Sequence, residues 1–111
     1  MTEARLKVGV WVSAALRQAG LKNKPGVVVR RGDADAGGVL VKLYARPGCV
    51  VLSQFRDQTG ALAWMRATGP EPVPEADADA YITRQLRSDP DLWVLEFDAA
   101  DYKPPFEAKI V

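Results

Sequence analysis

Residues 92–97 (Leu92, Trp93, Val94, Leu95, Glu96 and Phe97) constrain the fold of this chain more than any other stretch. Successive side chains of a strand point to opposite faces of its sheet. Leu92 and Val94 therefore share one face, and Trp93, Leu95 and Phe97 the other. A strand that is apolar on both faces needs cover on both, from helices or from a partner. Whatever else the chain forms has to be arranged around this strand.

The strands that accompany it are read from apolar runs between turn signals. They fall at residues 27–31, 39–46, 49–55 and 61–67, with a further short strand open for residues 106–111. Pro47-Gly48 and residues 57–60 supply turns between them. Within 39–45, Val39, Val41 and Leu43 point one way, and Leu40, Lys42 and Tyr44 the other. Residues 75–87 have a helix signature, with acids in the first turns, arginines in the last and a stripe of Ala78, Tyr81, Ile82 and Leu86. Asp89-Pro90 ends it. The first element, residues 4–19, places Val8, Trp11, Val12, Ala15, Leu16 and Ala19 on one helical stripe, with Gly20 as the left-handed residue beyond its end. Leu6, Val8, Val10 and Val12 also alternate, so a short strand entering a helix at Ser13 stays open.

The expected fold is α+β: a mostly antiparallel sheet of about five strands with two helices packed on one face. Residues 1–98 form the single domain and residues 99–111 a tail. At 111 residues there is room for one domain, and a chain of that size buries roughly 65% of its unfolded surface. Two helices cover about one face of a five-stranded sheet. That leaves Trp93, Leu95 and Phe97 as a candidate interface, covered by the tail folding back or by a second copy of the chain. Leu40 and Tyr44 would enlarge such a patch, and apolar areas above a few hundred Å² seldom stay open in a monomer.

The second candidate is the loop in residues 30–43. Gly32, Gly37 and Gly38 permit positive φ, and Asp33 and Asp35 can close turns on nearby amides. Arg30, Arg31, Asp33 and Asp35 are the candidate functional residues there. A Ca²⁺ loop is excluded, because the fifth position is Gly37 and the twelfth is Tyr44. The reading that needs fewest assumptions makes the aspartates turn-formers that meet Arg30 or Arg31.

Other chemistry is thinly represented. The chain has no histidine, which removes Ser-His and Cys-His nucleophiles and histidine metal sites. Its one cysteine, Cys49, cannot form an internal bridge and reads as a small buried apolar residue. No phosphate-binding glycine motif is present, and no cofactor or metal is expected. Trp11, Trp64 and Trp93 fall at core positions, although exposed tryptophans beside Arg30, Lys42 and Arg66 could stack bases.

Charge is unevenly spread. Residues 1–31 carry seven Lys/Arg against Glu3, and residues 71–101 carry nine acids against Arg84 and Arg87, while the whole chain is at +1. Mutual neutralisation of the two ends is favoured over a nucleic-acid face. There is no signal-peptide pattern and no membrane-length apolar run, so a cytoplasmic setting is expected.

The combination of Trp11–Arg17 (WV-x-x-A-L-R), Arg30–Gly37 (RRGDADAG) and Asp89–Glu96 (DPDLWV-x-E) resembles a family of small alphaproteobacterial proteins known as a domain of unknown function. The resemblance covers roughly residues 4–98. It implies single-domain size and a bacterial cytoplasmic setting, and brings no activity, cofactor or catalytic residue. The function expected is a non-enzymatic protein-interaction module or homodimer. The alternatives are a nucleic-acid-binding protein using the basic first third, and a small enzyme or metal-binding protein centred on Asp33 and Asp35.

Overall fold

The computed structural model describes residues 7–111, so residues 4–6 of the expected first element lie outside it. The element order is α1 (Val8–Leu21), β1 (Gly26–Arg30), β2 (Val39–Tyr44), β3 (Cys49–Arg56), β4 (Leu62–Arg66), α2 (Glu75–Ser88) and β5 (Trp93–Asp98). The α+β class and the mostly antiparallel five-stranded sheet are as the sequence indicated.

Strand order is β1-β5-β2-β3-β4. The last strand thus lies inside the sheet, antiparallel to β1 and parallel to β2. The parallel pairing sets Val39, Val41 and Leu43 beside Trp93, Leu95 and Phe97. These six residues form one packed face together with Val50, Leu52 and Trp64. Leu40, Cys49, Val51 and Val94 form the other.

The helices lie on opposite faces of the sheet, not on one. Val12, Ala15 and Ala19 of α1 join the Leu95 face, and Ala78 and Ile82 of α2 join the Val94 face. The physical reason is β5: apolar on both sides, it needs cover on both, and one helix supplies it on each.

The segment after Asp98 completes the α1 side. Pro105 and Phe106 are buried there. The Phe106 ring centroid lies 5.1 Å from that of Trp11, 5.4 Å from Trp64 and 5.9 Å from Phe97. Trp64 N–H donates to Lys109 O at 2.8 Å, and Val111 N–H to Trp64 O at 2.9 Å. The expected strand over 106–111 is reduced to this bridge, which occupies the free edge of β4. Residues 102–110 therefore contribute to the domain's core.

At its N-terminal end α1 is helical from Val8, so the strand alternative there gives way. Its end also differs from expectation. The helix passes through Gly20, and the left-handed position is Asn23, at φ 57°. Lys24 N–H reaches Ala19 O at 3.0 Å and Asn23 N–H reaches Gly20 O at 3.4 Å, the pair of bonds that closes a Schellman turn.

Candidate functional site

The loop between β1 and β2 is held against the turn that precedes β5. Asp33 N–H donates to Asp91 O at 3.0 Å, and Trp93 Nε1–H donates to Asp33 O at 2.8 Å. The Asp33 carboxylate accepts Ala36 N–H at 2.9 Å and so caps a single turn, which Gly37 N–H closes onto Asp33 O at 3.2 Å. Gly9 N–H, at the start of α1, donates to Ala34 O at 3.0 Å. None of the loop glycines has positive φ. At Gly32 and Gly37 glycine is required because a Cβ would run into the Asp91 carbonyl oxygen.

The four residues singled out from the sequence do not converge. Arg30 Nη2 donates to Pro90 O at 3.1 Å. The Arg31 guanidinium lies 5.3 Å from the centroid of the Trp93 ring, a cation–π distance. Asp35 meets only the exposed Lys7, at 3.6 Å. Asp33 serves its own turn. The candidate interface is corrected as well. Trp93, Leu95 and Phe97 are 0–2% exposed, covered by α1 and by residues 102–110, so no side-chain surface is left there for a partner.

The densest polar cluster surrounds Lys42. Its side chain is 6% exposed, and its Nζ meets Glu75 Oε2 at 2.6 Å, Asp79 Oδ1 at 2.8 Å and Glu96 Oε1 at 3.3 Å. Glu75 and Asp79 stand one helical turn apart on α2, and Glu96 is the β5 residue in register with Lys42. Burial alone would lower the Lys42 pKa. Hydrogen bonds with Asp79 and Glu75 and the charge of Glu96 outweigh that and hold it above the ordinary lysine value. A permanently protonated amine serves neither as a nucleophile nor as a base. Its three N–H donors match three carboxylates, which pins α2 to the sheet. The alternation of residues 39–45 sets Lys42 on the face opposite Val41 but does not mark this cluster. The signal was available as Glu75 and Asp79 at i, i+4, with Glu96 the lone charge within the apolar run of residues 92–97.

Cys49 lies beside this cluster, fully buried and unpaired. Burial pushes its thiol pKa up, against the opposing pull of Lys42, so the reactive thiolate is disfavoured. An open groove of about 600 Å³ runs past Lys22, Lys24, Tyr44, Arg46, Asp98 and Asp101. Lys24 in its wall is taken up by Asp101 at 2.9 Å and Lys103 O at 3.2 Å. That pair ties the basic first third of the chain to the acidic last third.

The two edges of the sheet differ. β4 carries the bridge from Ile110. β1 has a neighbour on one side only, and its Val27, Val28 and Val29 are 59%, 40% and 57% exposed. Asp98 N–H donates to Pro25 O at 3.0 Å, and Val27 is in register with Glu96. Antiparallel alternation then turns the peptide groups of Val27 toward β5, and those of Gly26 and Val28 outward.

Fold and site define a small α+β domain whose buried polar groups fasten a helix and a loop to the sheet. Among the described residues no group of three or more His, Cys, Asp or Glu is placed to hold a metal ion, and no helix is long and apolar enough to cross a membrane.

A family model for a protein of unknown function, DUF1491, matches residues 6–107, and the chain belongs to that family. The crystal structure of a DUF1491 family protein from Caulobacter crescentus CB15 is 34% identical, with a TM-score of 0.86 over 96% of this chain and 100% of the other. An NMR structure of a DUF1491 family protein from the same organism is 33% identical, with a TM-score of 0.84 over 98% and 99%. The solution structure of protein Atu0922 from A. tumefaciens, at 21% identity and a TM-score of 0.79 over 95% of each chain, shares the fold. No curated protein matches the sequence.

Proposed function

We propose that this DUF1491 protein is a non-enzymatic interaction module of the cytoplasm that binds through the open edge of its sheet. The observation that carries this reading is β1: three consecutive exposed valines on an edge strand with outward-turned peptide groups, while the opposite edge is occupied by the chain's own C-terminal segment. An edge of this kind is a template for an added strand, in which main-chain hydrogen bonds supply affinity. The burial and pairing of Lys42, the burial of Cys49 and the turn-capping by Asp33 speak for structural roles and give no support to an enzyme centred on Asp33 and Asp35. The Lys24–Asp101 pair draws basic charge away from a nucleic-acid face. Trp93, Leu95 and Phe97 offer no surface for a dimer, since α1 and the C-terminal segment cover that face, and any self-association is assigned to β1 instead.

The test is affinity purification from the source cells with the tagged chain and with Val28→Pro. The substitution removes an outward N–H that β5 does not use. Partners held by the native chain and lost from a folded Val28→Pro variant are expected. The same partners held equally by both would refute binding at this edge.

A further inference from the structure

We infer that residues 107–111 are an edge guard: they hold β4 closed against pairing with β4 of a second copy of the chain. This device is independent of binding at β1 and gives the opposite edge of the sheet a role of its own. β4 ends the strand order, so its outward peptide groups face no other strand of the sheet. Trp64 turns both its N–H and its C=O outward, and the tail takes both, through Lys109 O at 2.8 Å and Val111 N–H at 2.9 Å.

Around this bridge the tail alternates as a strand does. Ala108 and Ile110 are half-buried against the α1-side core, while Glu107, Lys109 and Val111 are exposed. Lys109 Nζ also meets Asp57 Oδ2, in the turn between β3 and β4, at 2.9 Å. None of these contacts passes through Phe106, whose ring is seated among Trp11, Trp64 and Phe97. Phe106 is thus the anchor, and the residues beyond it are the guard. The border they present in place of β4 is short and carries Glu107 and Lys109, features that blunt an edge against further pairing.

The sequence of β4 shows what the guard excludes. Two antiparallel strands related by a two-fold axis can exchange both bonds at a residue whose N–H and C=O face the partner, as those of Trp64 do. An axis there sets Trp64 beside its own copy, Ala63 beside Met65 and Leu62 beside Arg66, so that every residue of the strand is matched. No like charges face each other directly across that seam, and its aromatic and apolar pairs are of the stabilising kind. Leu62 and Met65, 37% and 47% exposed, are apolar surface that the seam would bury. The bare strand is therefore self-complementary, as a two-fold interface requires.

The test keeps the chain at full length. In the release variant, Lys109→Glu turns the pair with Asp57 into a repulsion, Ile110→Asp removes the apolar seat, and Val111→Pro removes the N–H given to Trp64. Light scattering over a dilution series compares it with the native chain, and amide spectra check the fold. The release variant is expected to keep the native amide pattern outside β4 and the tail, and to reach twice the native mass at the concentrated end. Val111→Pro alone should move the same equilibrium less far. Adding Leu62→Lys sets lysine against Arg66 across the seam and should return the mass to the native value; adding Arg66→Glu to that should restore the doubling. Val28→Pro should leave the doubling unchanged, which separates this seam from β1. A folded release variant with the native mass at every concentration would overturn the inference. So would association that Val28→Pro removes and Leu62→Lys does not. Loss of the native amide pattern in both the release variant and Val111→Pro would make residues 107–111 part of the core and overturn it as well.

Discussion

Replacing Phe106 by alanine tests whether the C-terminal segment belongs to the core. The side chain is 5% exposed and touches three aromatic rings, two of them edge-on. Truncating a buried phenylalanine costs about 3–5 kcal/mol when the cavity cannot collapse. The neighbours here are Trp11, Trp64 and Phe97, large rigid rings on α1, β4 and β5, which close poorly around a hole. Lost edge-on contacts add about 0.5–1.5 kcal/mol per pair to the area term, so the upper half of the range is expected. A domain of this size has a total stability of about 5–15 kcal/mol. Urea unfolding of Phe106→Ala should therefore show a markedly lower midpoint at nearly unchanged slope. Trp11 and Trp64 are the nearest fluorophores and should report wetter surroundings as a red shift. A loss below about 1 kcal/mol, the level of an ordinary surface change, would refute the placement of this segment.

Three further outcomes are expected. Lys42→Met keeps the volume but leaves Glu75, Asp79 and Glu96 facing one another. Since these carboxylates are 30–56% exposed and can turn to water, the loss in chemical denaturation should be about 1–3 kcal/mol, below the full cost of breaking a buried pair. Adding Glu75→Gln and Asp79→Asn should recover part of it. Asp33→Ala should cost about 0.5–2 kcal/mol, as for a lost cap. Asp35→Ala should stay within about 0.5 kcal/mol, because its only partner is an exposed lysine; equal losses at the two positions would contradict the loop geometry. The Cys49 pKa is raised in the folded chain, so its contribution is complete below the unfolded thiol value of about 8.5 and is lost as pH rises through the folded value. Denaturation midpoints measured across pH 8–10 should thus fall, and the fall should be shallower in Cys49→Ala. The lowered pKa of Asp101 acts at the other end, its contribution present above about 3.9 and lost as pH falls through the folded value.

Most of the architecture was legible because periodicity is a local property. All five strands and both helices lie where apolar spacing and turn residues indicated. The side of the sheet each helix occupies was not legible, since an amphipathic stripe shows that a helix packs without showing which face it packs on. The two-sided pattern of residues 92–97 held the missing constraint, but it left the C-terminal segment and a second copy as alternative covers, because that segment, rich in proline, carries no periodic signal. In that segment Phe106 does its packing as a single anchor, and one residue has no period. The loop misled for a related reason. Glycines signal either left-handed backbone or close approach, and only the position of Asp91, distant in sequence, distinguishes the two. Lys42 was missed because its three partners come from two separate elements.

The place of β5 in the sheet has a consequence for how the chain acquires its structure. β5, an interior strand of the sheet, is the last of the five to be synthesised, and Gly26 has to wait for Phe97. Until then β1 has no neighbour, while β2, β3 and β4 can form only an antiparallel meander. Insertion of β5 between β1 and β2 joins segments far apart along the chain, and such non-local closure slows folding. A nascent chain halted before residue 93 would therefore display two unpaired strand borders rich in valine, the kind of surface that chaperones and aggregation compete for.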